Sequence, residues 1–220
     1  MADIYEQLES RILLLDGGFG TMVQQYGLTE EDYRGERFRE WPALLKGCND
    51  LLALTRPEAV REIHVKYLQA GADIIETDSF NANAVSLADY GLEAYAYEMS
   101  RAAAAAARSA ADEFTARNPQ KPRFVAGSMG PTNRTASMSA DVGNPAAREV
   151  TFAQLAEAYT DQARGLLDGG ADILLVETIF DTLNAKAALY AIDALAEKLG
   201  RTIPVMASGT LADASGRTLS

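Results

Sequence analysis

Asp168-Gly169-Gly170-Ala171-Asp172-Ile173-Leu174-Leu175-Val176-Glu177-Thr178 echoes an earlier stretch, Gln69-Ala70-Gly71-Ala72-Asp73-Ile74-Ile75-Glu76-Thr77. Each passes from a helix end through a Gly-Ala-Asp turn into a short apolar run and closes on Glu-Thr. An apolar run that does not alternate with polar residues suits a strand buried on both faces, as in a parallel sheet. Three further runs of this kind lie at 12–15, ending on Asp16, at 123–126, ended by Gly127, and at 203–207. Helical stretches fill the gaps. One is expected over 57–70, opened by Thr55-Arg56-Pro57-Glu58 as a capping box with Pro in the first turn. Others are expected over 92–117, with six consecutive alanines at 102–107, over 151–168, and over 182–199, closed by Gly200. The alanines favour helix and let neighbouring backbones approach closely.

Repeated βα units with right-handed crossovers make either a doubly wound sheet or a barrel. The recurring Gly-Ala-Asp turn favours the barrel. A (βα)8 TIM-type barrel takes about 250 residues. The expectation is therefore an α/β chain whose residues 1–220 hold about the first five βα units of one barrel domain, the rest absent. An open sheet exposes an unpaired edge, so self-association is expected.

An apolar fraction of 48% allows a substantial core, and a net charge of −11 argues against a nucleic-acid partner, which needs a basic patch. One cysteine, Cys48, rules out an intrachain disulfide, and one Cys with one histidine, His64, cannot build the usual zinc sites. Cys48 is expected to be buried and inert, and His64 to be a packing or surface histidine. The start, Met1-Ala2-Asp3-Ile4-Tyr5-Glu6, lacks a basic and then apolar leader, and no apolar run approaches a membrane span. A cytoplasmic protein without a membrane partner is expected. Trp41-Pro42, in the long connection 27–50, fits either a lid or a packed loop.

Three expected strands end in a carboxylate: Asp16, Glu76 (with Asp78 nearby) and Glu177. In a barrel those ends form the functional face. Converging acids there would bind a metal or a substrate ammonium, or act as acid and base. The alternative is that each acid merely favours the N-terminus of a following helix. Asp16-Gly17-Gly18-Phe19-Gly20-Thr21 and Gly127-Ser128-Met129-Gly130-Pro131-Thr132-Asn133 are small-residue loops that leave room for a ligand. Neither matches a nucleotide-binding pattern or carries the basic residue a phosphate usually wants. These residues alone indicate a barrel-type enzyme fragment with an acidic mouth.

Leu15-Asp16-Gly17-Gly18-Phe19-Gly20-Thr21-Met22 resembles the opening motif of the homocysteine S-methyltransferase family. Gly35-Glu36-Arg37-Phe38, the stretch 72–77, the stretch 130–137, the stretch 177–186, and Ser208-Gly209-Thr210 with 213–220 resemble more narrowly its cobalamin-dependent methionine synthase branch. The resemblance spans about 11–220. It implies a (βα)8 barrel that binds L-homocysteine at its mouth, with the thiolate on a Zn2+ held by three cysteines. Its product is methionine, with methylcobalamin as donor, and the cobalamin and folate domains are later parts of the same long protein. By that pattern Asp16 and Glu177 grip the amino group, Gly17, Gly18, Gly127 and Ser128 lie against the amino acid's backbone atoms, and Glu76 and Asn81 join them. The zinc cysteines are expected beyond Ser220, which leaves these 220 residues without catalytic metal or turnover of their own. Asp78-Ser79-Phe80 departs from the family's Asn-Thr-Phe and adds a carboxylate. The competing readings are a betaine- or S-methylmethionine-dependent relative, a non-catalytic binding fragment, and a phosphate-binding barrel enzyme.

Overall fold

The computed structural model describes residues 4–139, 141–211, 214 and 216. Most of the motif at 213–220 therefore lies outside the described residues. The elements run α1 (Ile4–Ser10), α2 (Phe19–Gln24), α3 (Glu30–Arg34), α4 (Leu52–Thr55), α5 (Pro57–Ala70), β1 (Ile74–Glu76) and α6 (Ala84–Leu87), followed by α7 (Ala96–Arg117), β2 (Phe124–Met129), α8 (Phe152–Asp168), β3 (Ile173–Ile179), α9 (Thr182–Leu199) and β4 (Val205–Gly209). Among the described residues the four strands form one parallel sheet in the order β1-β2-β3-β4. A sheet whose neighbours follow chain order is wound in one direction, as a barrel arc is, and has no reversal point of the doubly wound kind.

The Gly-Ala-Asp echo has a physical cause. The Leu14 N–H donates to Asp73 Oδ2 at 3.0 Å, and the Val125 N–H donates to Asp172 Oδ2 at 2.8 Å. Each aspartate thus catches an amide of the preceding βα unit and ties successive units together. Each is also paired with an arginine, Arg11 with Asp73 at 2.9 Å and Arg108 with Asp172 at 2.7 Å.

The strand expected at 12–15 is reduced to one parallel bridge, Leu15 with Ile74. Leu14 spends its N–H on the Asp73 side chain instead of a ladder, a local competition that short polar side chains offer. The strand at 123–126 does not stop at Gly127 but runs on to Met129.

Side chains alternate across the sheet. Ile75 and Val125 pack with Leu68, Ala107, Ala110 and Ala111 under the helices, and Leu174 and Val176 pack with Leu155, Leu166 and Ile192. Ile74, Phe124, Ala126, Ile173 and Leu175 turn to the other face, where Ile4 of α1 covers them. The alanine run serves packing as expected: Ala103, Ala104 and Ala107 are fully buried.

Thr55 does not cap α5. It is the last residue of α4 and donates its hydroxyl to the Leu51 carbonyl at 3.3 Å, while Arg56 occupies the cap position without a side-chain bond to the helix end. The helix expected from 92 begins as a short 3-10 turn, Glu93–Tyr95, before α7. Trp41 belongs to a packed loop: its indole N–H donates to the Tyr90 carbonyl at 2.9 Å and its ring meets Phe38 and Tyr95 edge-on. Among the described residues no helix is long and apolar enough to cross a membrane.

Candidate functional site

On the inward face of the sheet the apolar residues give way to polar ones at the C-terminal ends of the strands. Glu76 follows Ile74, Ser128 follows Ala126, and Glu177 follows Leu175, each two residues on and hence on the same face. These three side chains line a cleft of about 330 Å3 together with Gly18, Phe19, Asp50, Asp78 and Asn81. Asp16 stands behind Glu76, whose N–H donates to Asp16 Oδ2 at 3.0 Å, while Oδ1 is buried without a partner. Glu177 accepts the Ser128 hydroxyl at 2.5 Å.

Few groups balance these acids, and their proton affinities reflect it. Burial, helped by the charge of Glu177 and opposed by backbone N–H bonds, pushes Asp16 up to about 7. Burial and then the charges of Glu177 and Asp16 push Glu76 up to about 8. Burial raises Glu177 against the pull of the Ser128 hydroxyl. A second pair shares the cleft. Asp50 is pushed up to about 6 by burial, and Asp78 is raised well above its ordinary value by burial and then by the charge of Asp50. Buried carboxyls in this number either keep protons or receive a cation.

Of the residues the sequence singled out, Gly18, Glu76, Asn81, Ser128 and Glu177 meet in the cleft, with Asp16 directly behind. Gly17 and Gly127 are not among the residues lining it. A Cβ at Gly17 would lie 3.4 Å from the Tyr67 ring, and one at Gly127 would press on Leu166 and Leu174 at 3.0–3.1 Å. Gly127 is thus a helix-packing residue on the far face of β2.

Sequence reasoning missed Asp50, which accepts the Asn81 N–H at 2.7 Å. It lies in the connection before α5, where no spacing signal marks it. Also missed were Tyr67, whose hydroxyl donates to the Gly18 carbonyl at 3.1 Å, and fully buried Gln162, which donates to the Ser79 carbonyl at 2.7 Å. Both act from helices that sequence marks only as packing elements.

Among the described residues no three His, Cys, Asp or Glu side chains are grouped to hold a metal ion. Cys48 is 2% exposed with its thiol pushed up by burial, and His64 is fully buried, neutral, and pushed down to about 3 by burial. The residues described here do not fit a thiolate zinc centre.

Fold and cleft together define an α/β protein with parallel strands in chain order and an acid-lined pocket at their C-terminal ends. The homocysteine S-methyltransferase family pattern matches residues 13–220, and the chain belongs to that family. Among solved structures it is similar to the homocysteine methyltransferase MmuM from Escherichia coli in its metallated form, at 25% identity and a TM-score of 0.71, covering 94% of this chain and 66% of that one. The oxidized form gives 25% identity and a TM-score of 0.71, over 96% and 68%, and the apo form 26% and 0.64, over 94% and 62%. The chain thus spans about two thirds of the length of the structures it matches.

Proposed function

We propose that residues 1–220 are the homocysteine-binding portion of a cobalamin-dependent methionine synthase, the N-terminal part of a (βα)8 barrel domain that further strands would close. The observation that carries the substrate is the cluster Asp16, Glu76 and Glu177 at the strand ends, where the substrate ammonium would replace the protons the acids otherwise hold. Ser128 keeps Glu177 oriented, and Gly18 leaves backbone free beside the ligand. The described residues do not fit the zinc centre, and the thiolates that would activate the sulfur are not among them.

The methyl donor rests on the motif resemblance. The segments 130–137 and 177–186 form one unit: Asn184 donates to Thr132 Oγ1 at 2.8 Å and to the Arg134 carbonyl at 3.0 Å, and accepts the Ala136 N–H at 2.9 Å. These bonds join the two motifs into one structural feature beyond the ends of β2 and β3.

Calorimetry with L-homocysteine and with 4-mercaptobutanoate, its analogue lacking the amino group, tests the substrate. L-homocysteine is expected to bind and the analogue to lose roughly tenfold or more in affinity, since a hydrogen-bonded charge contributes roughly 1.5–3 kcal/mol. Equal affinity would remove the basis for the ammonium pocket. Assays of the purified chain with methylcobalamin, S-methylmethionine and betaine are expected to give no turnover, with less than one tight zinc per chain. Turnover with either onium donor would overturn the cobalamin assignment.

A further inference from the structure

Thr178 has φ of 54°, the only positive value among the described residues that are not glycine. The left-handed region is sterically costly for a β-branched side chain and is retained only where the surroundings enforce it. The residue follows Glu177 directly. It also sits where the register between β3 and β4 breaks: Val176 pairs with Ala207, but the next pair is Ile179 with Gly209, so two residues of β3 stand opposite one of β4. This is a β-bulge, a device that bends a strand and re-aims a side chain at its end. Downstream the chain is fastened again, by the Thr210 N–H to the Ile179 carbonyl at 2.8 Å and by Asp181 capping α9 at the Leu183 and Asn184 amides.

We infer that Thr178 is a positioning residue: its left-handed bulge, pinned on both sides, holds the Glu177 carboxyl in the cleft against Ser128, Glu76 and Asp16. An unbulged strand would leave Glu177 at an edge where it could swing toward water and escape the repulsion of its two neighbours. The bulge removes that freedom, because the anchors on either side hold the backbone at Thr178 in one conformation. The inference rests on the reading of the cleft as a site for a cationic substrate, but its first test needs no ligand.

Carboxyl-carbon NMR, with Glu177 assigned by difference against Glu177→Gln, follows the titration of that group in the wild type and in Thr178→Gly. Glycine visits positive φ without strain but also wanders elsewhere. The variant is expected to melt at the same temperature as the wild type or higher, while Glu177 titrates lower, toward an ordinary glutamate. Thr178→Asn, which tolerates the left-handed region, is expected to restore the wild-type titration. An unchanged Glu177 titration in Thr178→Gly overturns the inference, whether the melting temperature rises or falls. Calorimetry with L-homocysteine gives the second arm, with affinity expected to drop several-fold in the glycine variant. If wild type binds no homocysteine yet the titration moves, the substrate reading fails and the positioning role stands.

Discussion

Glu76 and Asp16 hold their protons more tightly in the fold than in the unfolded chain, where such groups titrate near 4. Below about pH 4 both states are protonated and the pair contributes nothing to the pH dependence. From there to about 7 for Asp16 and about 8 for Glu76 the unfolded chain gives up protons that the fold retains, so stability falls as pH rises. The ligand-free chain should therefore melt at lower temperature at pH 8 than at pH 5. Glu76→Gln should flatten that slope and raise the melting temperature at pH 8 by roughly 4 °C. Scanning calorimetry across that range checks it, and a flat wild-type profile would show that the acids are not buried together. Of this cluster, the acids at strand ends are legible in sequence because a strand followed by Asp or Glu marks the face. The hydroxyl of Tyr67 and the amide of Gln162 are not, since only the packing of α5 and α8 brings them to the loops.

Two threonines carry the same local pattern with opposite results. Thr151, three residues before Gln154, caps α8 in a true capping box, with the Gln154 N–H donating to the Thr151 hydroxyl at 3.3 Å. Thr55, three before Glu58, does not cap, because the chain arriving at it is already helical and Pro57 keeps Arg56 out of the helical region. Periodicity and punctuation thus give the long helices and their Gly ends, while a cap depends on what precedes it. Close approach is equally hidden. Gly165 in the last turn of α8 leaves no room for a methyl group: a Cβ there would lie 2.6 Å from the Tyr97 carbonyl oxygen and 2.9 Å from Ser100 Cβ of α7. Alanine would gain up to about 1 kcal/mol of helix propensity but lose about 1–3 kcal/mol to overpacking. Gly165→Ala is thus expected to be net destabilising by about 1–2 kcal/mol, measured by urea unfolding. A stabilised variant would mean that α7 and α8 do not touch there.

Across the whole molecule, the parallel sheet and its helical cover follow from the spacing of apolar runs, and the echo at 69–77 and 168–178 gives its direction of winding. The weak point is the first run, where sequence marks a strand and the molecule makes one bridge, because pairing at the rim depends on neighbours rather than on composition. That rim is apolar: Ile12 is 87% exposed and Leu14 57%, and on the opposite rim Val205 is 42% exposed. Such edges recruit other chains. The purified chain is expected to associate as its concentration rises from micromolar to millimolar, followed by light scattering. A monomer throughout would show that the rims are covered in solution.

Strands that neighbour each other in chain order carry a kinetic meaning. Each new strand finds its template already made by the unit before it, and Asp73 and Asp172 supply the latch. A polypeptide emerging from the ribosome could add one βα step after another onto a growing platform, without waiting for a distant partner still to be translated.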